Sequence, residues 1–287
     1  MNNILVNDWA DRYERLIEQR LLESVITVKT MADYTRMIRH VRQLWADRIL
    51  SEISVADIAM RIDSMAQRAP HSARRFRLNL SNFFLEAQRD GLLPPGHNPA
   101  LITREPFTPI VTRRITFPEW QAVYRKAQSI APSYFPVAML FALITAQRRG
   151  DLVAFHRAHL FDGYLHIKQQ KTGEMIALPV DLRLDALGVS LFEVIAMCHP
   201  SGLLLRQNNG NPVNPWSLSY WFRRCRDEAL PSTSTGRPPS FREQRSLSER
   251  LYREQGIDTR TLLGHRFQSM TDQYNSLRGR DYRRLVL

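Results

Sequence analysis

The chain has 287 residues, 44% of them apolar, which suffices for one or two domains with ordinary hydrophobic cores. Forty Lys+Arg against 28 Asp+Glu give a formal charge of +12, a balance that favours a polyanionic partner such as nucleic acid, bound with steep salt dependence. Cys198 and Cys225 form neither a CxxC pair nor a disulfide framework, the N-terminus lacks the plan of a signal peptide, and no apolar run is long enough to cross a membrane, so the expectation is a reduced, cytoplasmic protein with access to DNA.

Residues 1–92 read as a small helical unit. Met31, Tyr34, Ile38, Val41 and Trp45 recur at spacings of three and four, one apolar stripe of a helix. Thr30 with Asp33, and Ser54 with Asp57, have the spacing of capping boxes, with Asp in place of the usual Glu. A further helix is expected from Ser72 to Arg89, with Phe76, Leu80, Phe83, Phe84 and Ala87 toward a core. Arg74, Arg75 and Arg77 occupy its other positions and are candidates for phosphate contacts. Residues 93–115 follow as a linker, where Pro94, Pro95, Pro99, Pro106 and Pro109 interrupt any periodicity. A basic joint between two basic units suits a clamp around a duplex.

From 116 to 287 the chain reads as mostly helical with a small β region. Thr116-Phe-Pro-Glu119 opens a helix with proline just inside. Tyr164–Lys168 and Met175–Leu178 alternate apolar and polar residues around the turn Gln-Gln-Lys171-Thr-Gly173-Glu, a hairpin with Lys171 near its tip. A helix is expected around Trp216–Glu228, then a turn-rich break from Pro231 to Pro239.

Four stretches carry chemistry. They are Thr145-Ala-Gln-Arg148-Arg-Gly-Asp151-Leu, Lys171-Thr-Gly173, Arg242-Glu-Gln-Arg245, and Leu262-Leu-Gly-His265 followed nine residues later by Tyr274. Cleaving a phosphodiester needs an in-line nucleophile, donors to the non-bridging oxygens and an acid for the leaving oxygen. Arginine suits the clamp because its planar fork donates paired hydrogen bonds and stays ionised. A tyrosine can attack once nearby positive charge favours its phenolate. There is no HExxH, no cysteine cluster and no dense carboxylate group, so the expected chemistry uses no metal and no cofactor.

In order and spacing these stretches resemble the tyrosine recombinases, the phage integrase family, of the phage lambda integrase type. The resemblance spans nearly the whole chain. It implies a mainly α fold with a small β-sheet, in which a helical core-type DNA-binding domain is joined by the linker to a catalytic domain of the tyrosine recombinase type. It also implies site-specific DNA recombination through a 3′-phosphotyrosine, integrating or excising a mobile element such as a prophage. Tyr274 would be the nucleophile, Arg148 and Arg245 the clamp, Lys171 the acid toward the 5′ oxygen, and His265 a donor to a non-bridging oxygen. Asp151 would orient the others. Two positions depart from the pattern. Ala146 stands where glycine is usual, and Arg242 stands where histidine is common; arginine cannot accept a proton at neutral pH but can add positive field.

The resemblance further implies double-stranded DNA as partner, a homotetramer on synapsed sites, and an accessory DNA-bending protein or excisionase. The tail from Asn275 to Leu287 would dock on a neighbouring protomer or on its own. The chain begins directly in the helical unit, so it is either a simpler recombinase or lacks an arm-binding domain. Two other readings share these residues: a type IB topoisomerase, and a catalytically weakened recombinase-derived DNA-binding regulator, which Arg242 keeps open.

Overall fold

The computed structural model describes residues 3–109, 112–231 and 237–275. Its contacts divide the chain into two units, Met1–Pro109 and Ile110–Leu287. Among the described residues no helix is long and apolar enough to cross a membrane.

The first unit is helical: α1 Val6–Leu22, α2 Val28–Trp45, α3 Val55–Arg68, α4 Pro70–Arg89 and a short α5 Pro99–Ile102. Helix α2 packs on α1 and α3 on α4, burying Trp9, Tyr13, Ile38, Val41, Phe83 and Phe84 in one core. Ser54 and Asp57 close the expected capping box of α3. Helix α2 begins earlier than its sequence suggests. Thr27, not Thr30, is its cap, accepting the Thr30 backbone N–H at 3.2 Å. Asp33 therefore lies inside the helix, where it pairs with Arg36 and Arg75. Within the Pro-rich segment, Pro99 starts α5, and Leu93 and Ala100 are buried with the first unit's core. Proline at a first helical position sacrifices no hydrogen bond, which is why a Pro-rich stretch can still hold a helical turn.

The second unit opens with α6 Phe117–Ile130, capped by the Thr116–Glu119 box. Helix α7 Tyr134–Thr145 is apolar on every face and buried along most of its length, so it forms the centre of the second core. Then come α8 Arg149–Val153 and a three-stranded antiparallel sheet of β1 Leu160–Phe161, β2 Tyr164–Lys168 and β3 Met175–Pro179, in the order β1-β2-β3. Leu165 pairs with Leu178 and Lys168 with Met175, so β2 and β3 form the expected hairpin. A small ribbon, β4 Arg183–Leu184 with β5 Val189–Ser190, leads into α9 Leu191–Ala196. Helix α10 Pro215–Ala229 lies against α6, and α11 Glu243–Glu254 packs on α7. The chain ends its described course with α12 Thr259–Leu263 and α13 Gln268–Asn275. The tail beyond Asn275, whose docking the sequence left open, lies outside the described residues, as does most of the break at 231–239.

Candidate active site

Arg148 owes its position to a sharp turn. Helix α7 stops at Ala146, a non-glycine residue in the left-handed region (φ 54°), and Arg148 is extended at the start of α8. A left-handed alanine is disfavoured by its Cβ, and glycine would carry no such cost. The surroundings hold it there: Ala146 is fully buried and its carbonyl accepts from Arg245 Nη1 at 2.5 Å.

The same turn grips the β2–β3 hairpin. Gln169, at the end of β2, is completely buried. Its side-chain oxygen accepts from Arg148 Nη1 and from Thr172 Oγ1, both at 2.8 Å. Its amide nitrogen donates to Gln147 Oε1 at 2.8 Å and to the Leu263 carbonyl at 2.9 Å. Beside it, the Gln170 backbone N–H donates to Asp151 Oδ1 at 2.8 Å. Asp151 thus acts through the hairpin; its Oδ2 is buried with no partner among the described residues. Gly150 leaves room for Gln170, whose Oε1 would lie 3.1 Å from an added Cβ. Beyond the tip, Glu174 pairs with Arg266, the residue after His265. Both roots of the hairpin are therefore tied to other parts of the site.

Helix α11 supplies the second arginine. Arg245 is 2% exposed and donates to the Ala146 carbonyl and, through Nη2, to the Leu263 carbonyl at 2.5 Å. Burial, with Arg148 nearby, pulls its pKa down to about 10, so it remains charged at neutral pH. The helix around it is polar yet buried, and several of its polar groups find partners, whereas Arg245 Nε, Ser248 Oγ and Glu249 Oε2 have none among the described residues. Gln244 Oε1 accepts from the Trp120 indole at 2.7 Å, and Glu243 forms an ion pair with Arg114 at 3.0 Å.

His265 is positioned by the end of α12. Asp258 caps that helix, and Gly264 at φ 61° turns the chain at its C-terminus, with the His265 N–H bonded back to the Arg260 carbonyl. The imidazole is 7% exposed, with Nε2 3.2 Å from Arg245 Nη2 and Nδ1 3.0 Å from Thr271 Oγ1. Arginine only donates, so Nε2 accepts, and the proton belongs on Nδ1, facing Thr271. Burial, then the charges of Arg245 and Arg148, push the pKa of His265 down to about 4.

Tyr274, on α13, completes the cluster. Its ring lies 5.3 Å from that of His265 and 5.5 Å from the Arg245 guanidinium. Arg242 Nη2 donates to its hydroxyl at 3.3 Å. Burial alone would raise the phenol pKa, but Arg245, the Arg242 bond and charge, and Arg148 outweigh it and the net direction is downward. The end of α13 is held as well: Ser246 Oγ donates to the Tyr274 carbonyl at 2.7 Å and Arg114 to the Gln273 carbonyl at 2.5 Å.

The structure thus brings Arg148, Arg242, Arg245, His265 and Tyr274 into one cluster, with Asp151 behind them. Lys171 sits exposed at the hairpin turn, and among the described residues no hydrogen bond or ion pair joins it to the others. In the first unit, Arg74 and Arg75 are exposed and paired with Glu105 and Asp33. Arg77 is half-buried and donates to the Thr103 carbonyl and hydroxyl and to the Leu101 carbonyl. Its guanidinium secures the segment after α5.

Sequence reasoning missed Gln147, Gln169, Thr271 and Arg114. Gln147 and Gln169 lie inside or beside two of the motifs, but nothing in a glutamine's spacing says that it is buried. Thr271 carries a weak signal, lying between the motif histidine and tyrosine.

No family model matches this chain. It is 37% identical to the integrase of Enterobacteria phage P21 over 292 residues, covering 98% of this chain and 77% of that protein. It is 33% identical to the integrase of Escherichia phage lambda, covering 100% of this chain and 80% of the relative. Among solved structures, a lambda integrase dimer bound to a COC′ core site matches with a TM-score of 0.91 at 32% identity, covering 99% of this chain and 100% of that one. A lambda integrase tetramer bound to a Holliday junction matches with a TM-score of 0.90 over 99% of this chain and 81% of that one.

Proposed function

The chain belongs to the phage integrase family, the site-specific tyrosine recombinases, and on that premise we propose that Tyr274 cleaves and rejoins DNA through a 3′-phosphotyrosine. The observation that carries the assignment is the convergence on one tyrosine hydroxyl of Arg242 at 3.3 Å, with the Arg245 guanidinium 5.5 Å from the same ring. These cations stabilise the phenolate, and a phosphodiester entering among them meets donors already fixed in place.

In the proposed step Tyr274 Oη gives its proton to solvent water and bonds to phosphorus, and the bond from phosphorus to the 5′ oxygen breaks. Lys171 delivers a proton to that oxygen. A lysine at an exposed turn is free to move onto the leaving group, while Gln169 and Asp151 fix the hairpin's root. Arg148 and Arg245 hold the non-bridging oxygens. The arriving negative charge raises the proton affinity of His265, and the imidazolium then donates through Nε2, which in the free protein accepts from Arg245. The ester conserves bond energy, so a 5′ hydroxyl from a partner duplex reverses the reaction without ATP.

The partner in this reading is double-stranded DNA. The solved relatives, a dimer on a core site and a tetramer on a Holliday junction, support two protomers per site and four per synapse. Arg74 and Arg75 would exchange their carboxylates for phosphates, and the cytoplasm is the compartment that offers such DNA. Arg242 takes over part of the deprotonation by field instead of by accepting a proton.

The test is incubation with supercoiled plasmid and nicked duplexes from the element's own attachment region, in EDTA, quenched with detergent. A covalent protein–DNA adduct that vanishes in Tyr274→Phe is expected. Salt-sensitive binding with no adduct would overturn the proposal.

A further inference from the structure

The residue after the clamp arginine has a different environment. Arg149 begins α8 and lies over the indole of Trp216, its guanidinium carbon 3.9 Å from the ring centroid. Its Nη1 also donates to Ser219 Oγ at 2.5 Å. Its Nε and Nη2 have no hydrogen-bond partner, and no carboxylate pairs with it, among the described residues. Two elements therefore fix this cation, the start of α8 and the first turns of α10, and two of its donor groups remain open.

Trp216 is 69% exposed, an uncommon state for an indole unless it has a partner. Spaced along α10 from Trp216 are Tyr220, 47% exposed, and then Arg223, also exposed. The spacings of four and three put all three on one helical face. A basic stripe on one helical face is the footprint of a nucleic-acid backbone, with guanidinium groups as phosphate ligands and an aromatic ring able to hold a guanidinium in place by stacking. A surface arginine ordinarily pays rotamer entropy to meet a phosphate, and a stack on tryptophan pays that cost beforehand.

We propose that Arg149, held by Trp216 and Ser219, is a phosphate ligand for the DNA backbone beside the scissile position, that Trp216 acts only by ordering Arg149, and that Tyr220 and Arg223, farther along the same face of α10, continue that contact along the duplex. This rests on the recombinase reading and extends it, because neither Arg149 nor α10 belongs to the cleavage cluster. The contact positions DNA and reads no base, since phosphate contacts carry no sequence information directly.

The experiment uses the full chain and a fluorescein-labelled duplex of random sequence, with affinity measured over a series of salt concentrations. Adduct formation on nicked attachment-region duplexes is followed in parallel. Arg149→Gln is expected to weaken binding and reduce the slope of log affinity against log salt by about 0.9, the signature of one lost phosphate contact. Trp216→Leu keeps apolar volume but removes the π face, and is expected to weaken binding about 2- to 5-fold. In the Arg149→Gln background the same change at Trp216 should have almost no effect, because the two residues act as one unit. An unchanged salt slope in Arg149→Gln, or equal effects of Trp216→Leu in both backgrounds, overturns the proposal. These outcomes are separable from failure of the recombinase reading, which would show as no adduct from the unsubstituted chain.

Discussion

Gln169→Glu tests whether one buried amide holds the site together. The substitution preserves shape and replaces an NH2 with an oxygen. That oxygen would face Gln147 Oε1 and the Leu263 carbonyl, which now accept from Gln169 at 2.8 and 2.9 Å. Gln147 cannot rotate its amide to compensate, because its Nε2 is committed to the Thr145 and Leu262 carbonyls at 2.8 and 2.9 Å. The Leu263 carbonyl keeps Arg245, but Gln147 Oε1 loses its donor outright. A buried polar group without its partner costs about 1–3 kcal/mol, and two such contacts turn from attractive to repulsive. The new carboxylate gains a charge-assisted bond to Arg148, returning about 1 kcal/mol. The net is a loss of about 3 kcal/mol, or roughly 6–12 °C in the melting temperature of a unit this size. The assay is calorimetry of the full chain, with adduct yield measured at a temperature where both proteins are folded. Adduct yield should fall too, since a carboxylate against Arg148 cancels part of the clamp's charge. Gln169→Met, which removes the amide but adds no charge, should lose stability while retaining more cleavage. Melting within about 2 °C of the unsubstituted chain, with equal cleavage, would refute the reasoning.

Removing the charge at Arg242 should raise the Tyr274 pKa, because that charge and its hydrogen bond help hold the phenol below its usual value. In Arg242→Gln the rise of cleavage rate with pH therefore moves to higher pH, with a fall at neutrality of order tenfold per unit moved; an unmoved profile would show that Arg242 does not tune the nucleophile. Gly264→Ala puts a methyl 2.7 Å from Gln169 Nε2 at a residue with φ 61°. Strain and the displaced amide together should cost about 2–4 kcal/mol, read as a lower denaturation midpoint. His265 should give a pH dependence of known sign. Its pKa lies near 4 when folded and near 6.5 when unfolded, so the unfolded chain binds the extra proton between those values and stability falls as pH drops through that window. His265→Gln should flatten that part of the pH–stability curve.

Features that depend on local order can be read from the residues alone. Helix α4 follows from its apolar spacing, and the caps at Ser54 and Thr116 follow from a side chain and a backbone group only three residues apart. The β2–β3 hairpin follows from alternation around a glycine turn. The motif residues Arg148, Arg242, Arg245, His265 and Tyr274 could be singled out through their order and spacing, which resemble a known family, and the fold gathers them into one cluster. Tertiary structure alone decided what surrounds them. Helix α11 is too polar to read as buried, yet it packs on α7, with Gln244, Glu243 and Arg245 met by Trp120, Arg114 and the Ala146 and Leu263 carbonyls from distant parts of the chain, while Ser248 Oγ and Glu249 Oε2 are buried without a partner among the described residues. The proton on His265 faces Thr271 because Arg245 occupies the other ring nitrogen, a fact of three-dimensional contact. Gln169 could be any surface glutamine until the fold places Arg148, Gln147 and Leu263 around it. Periodicity and motif spacing record short-range constraints, whereas a hydrogen-bond partner about a hundred residues away, as Leu263 is from Gln169, leaves no trace in either.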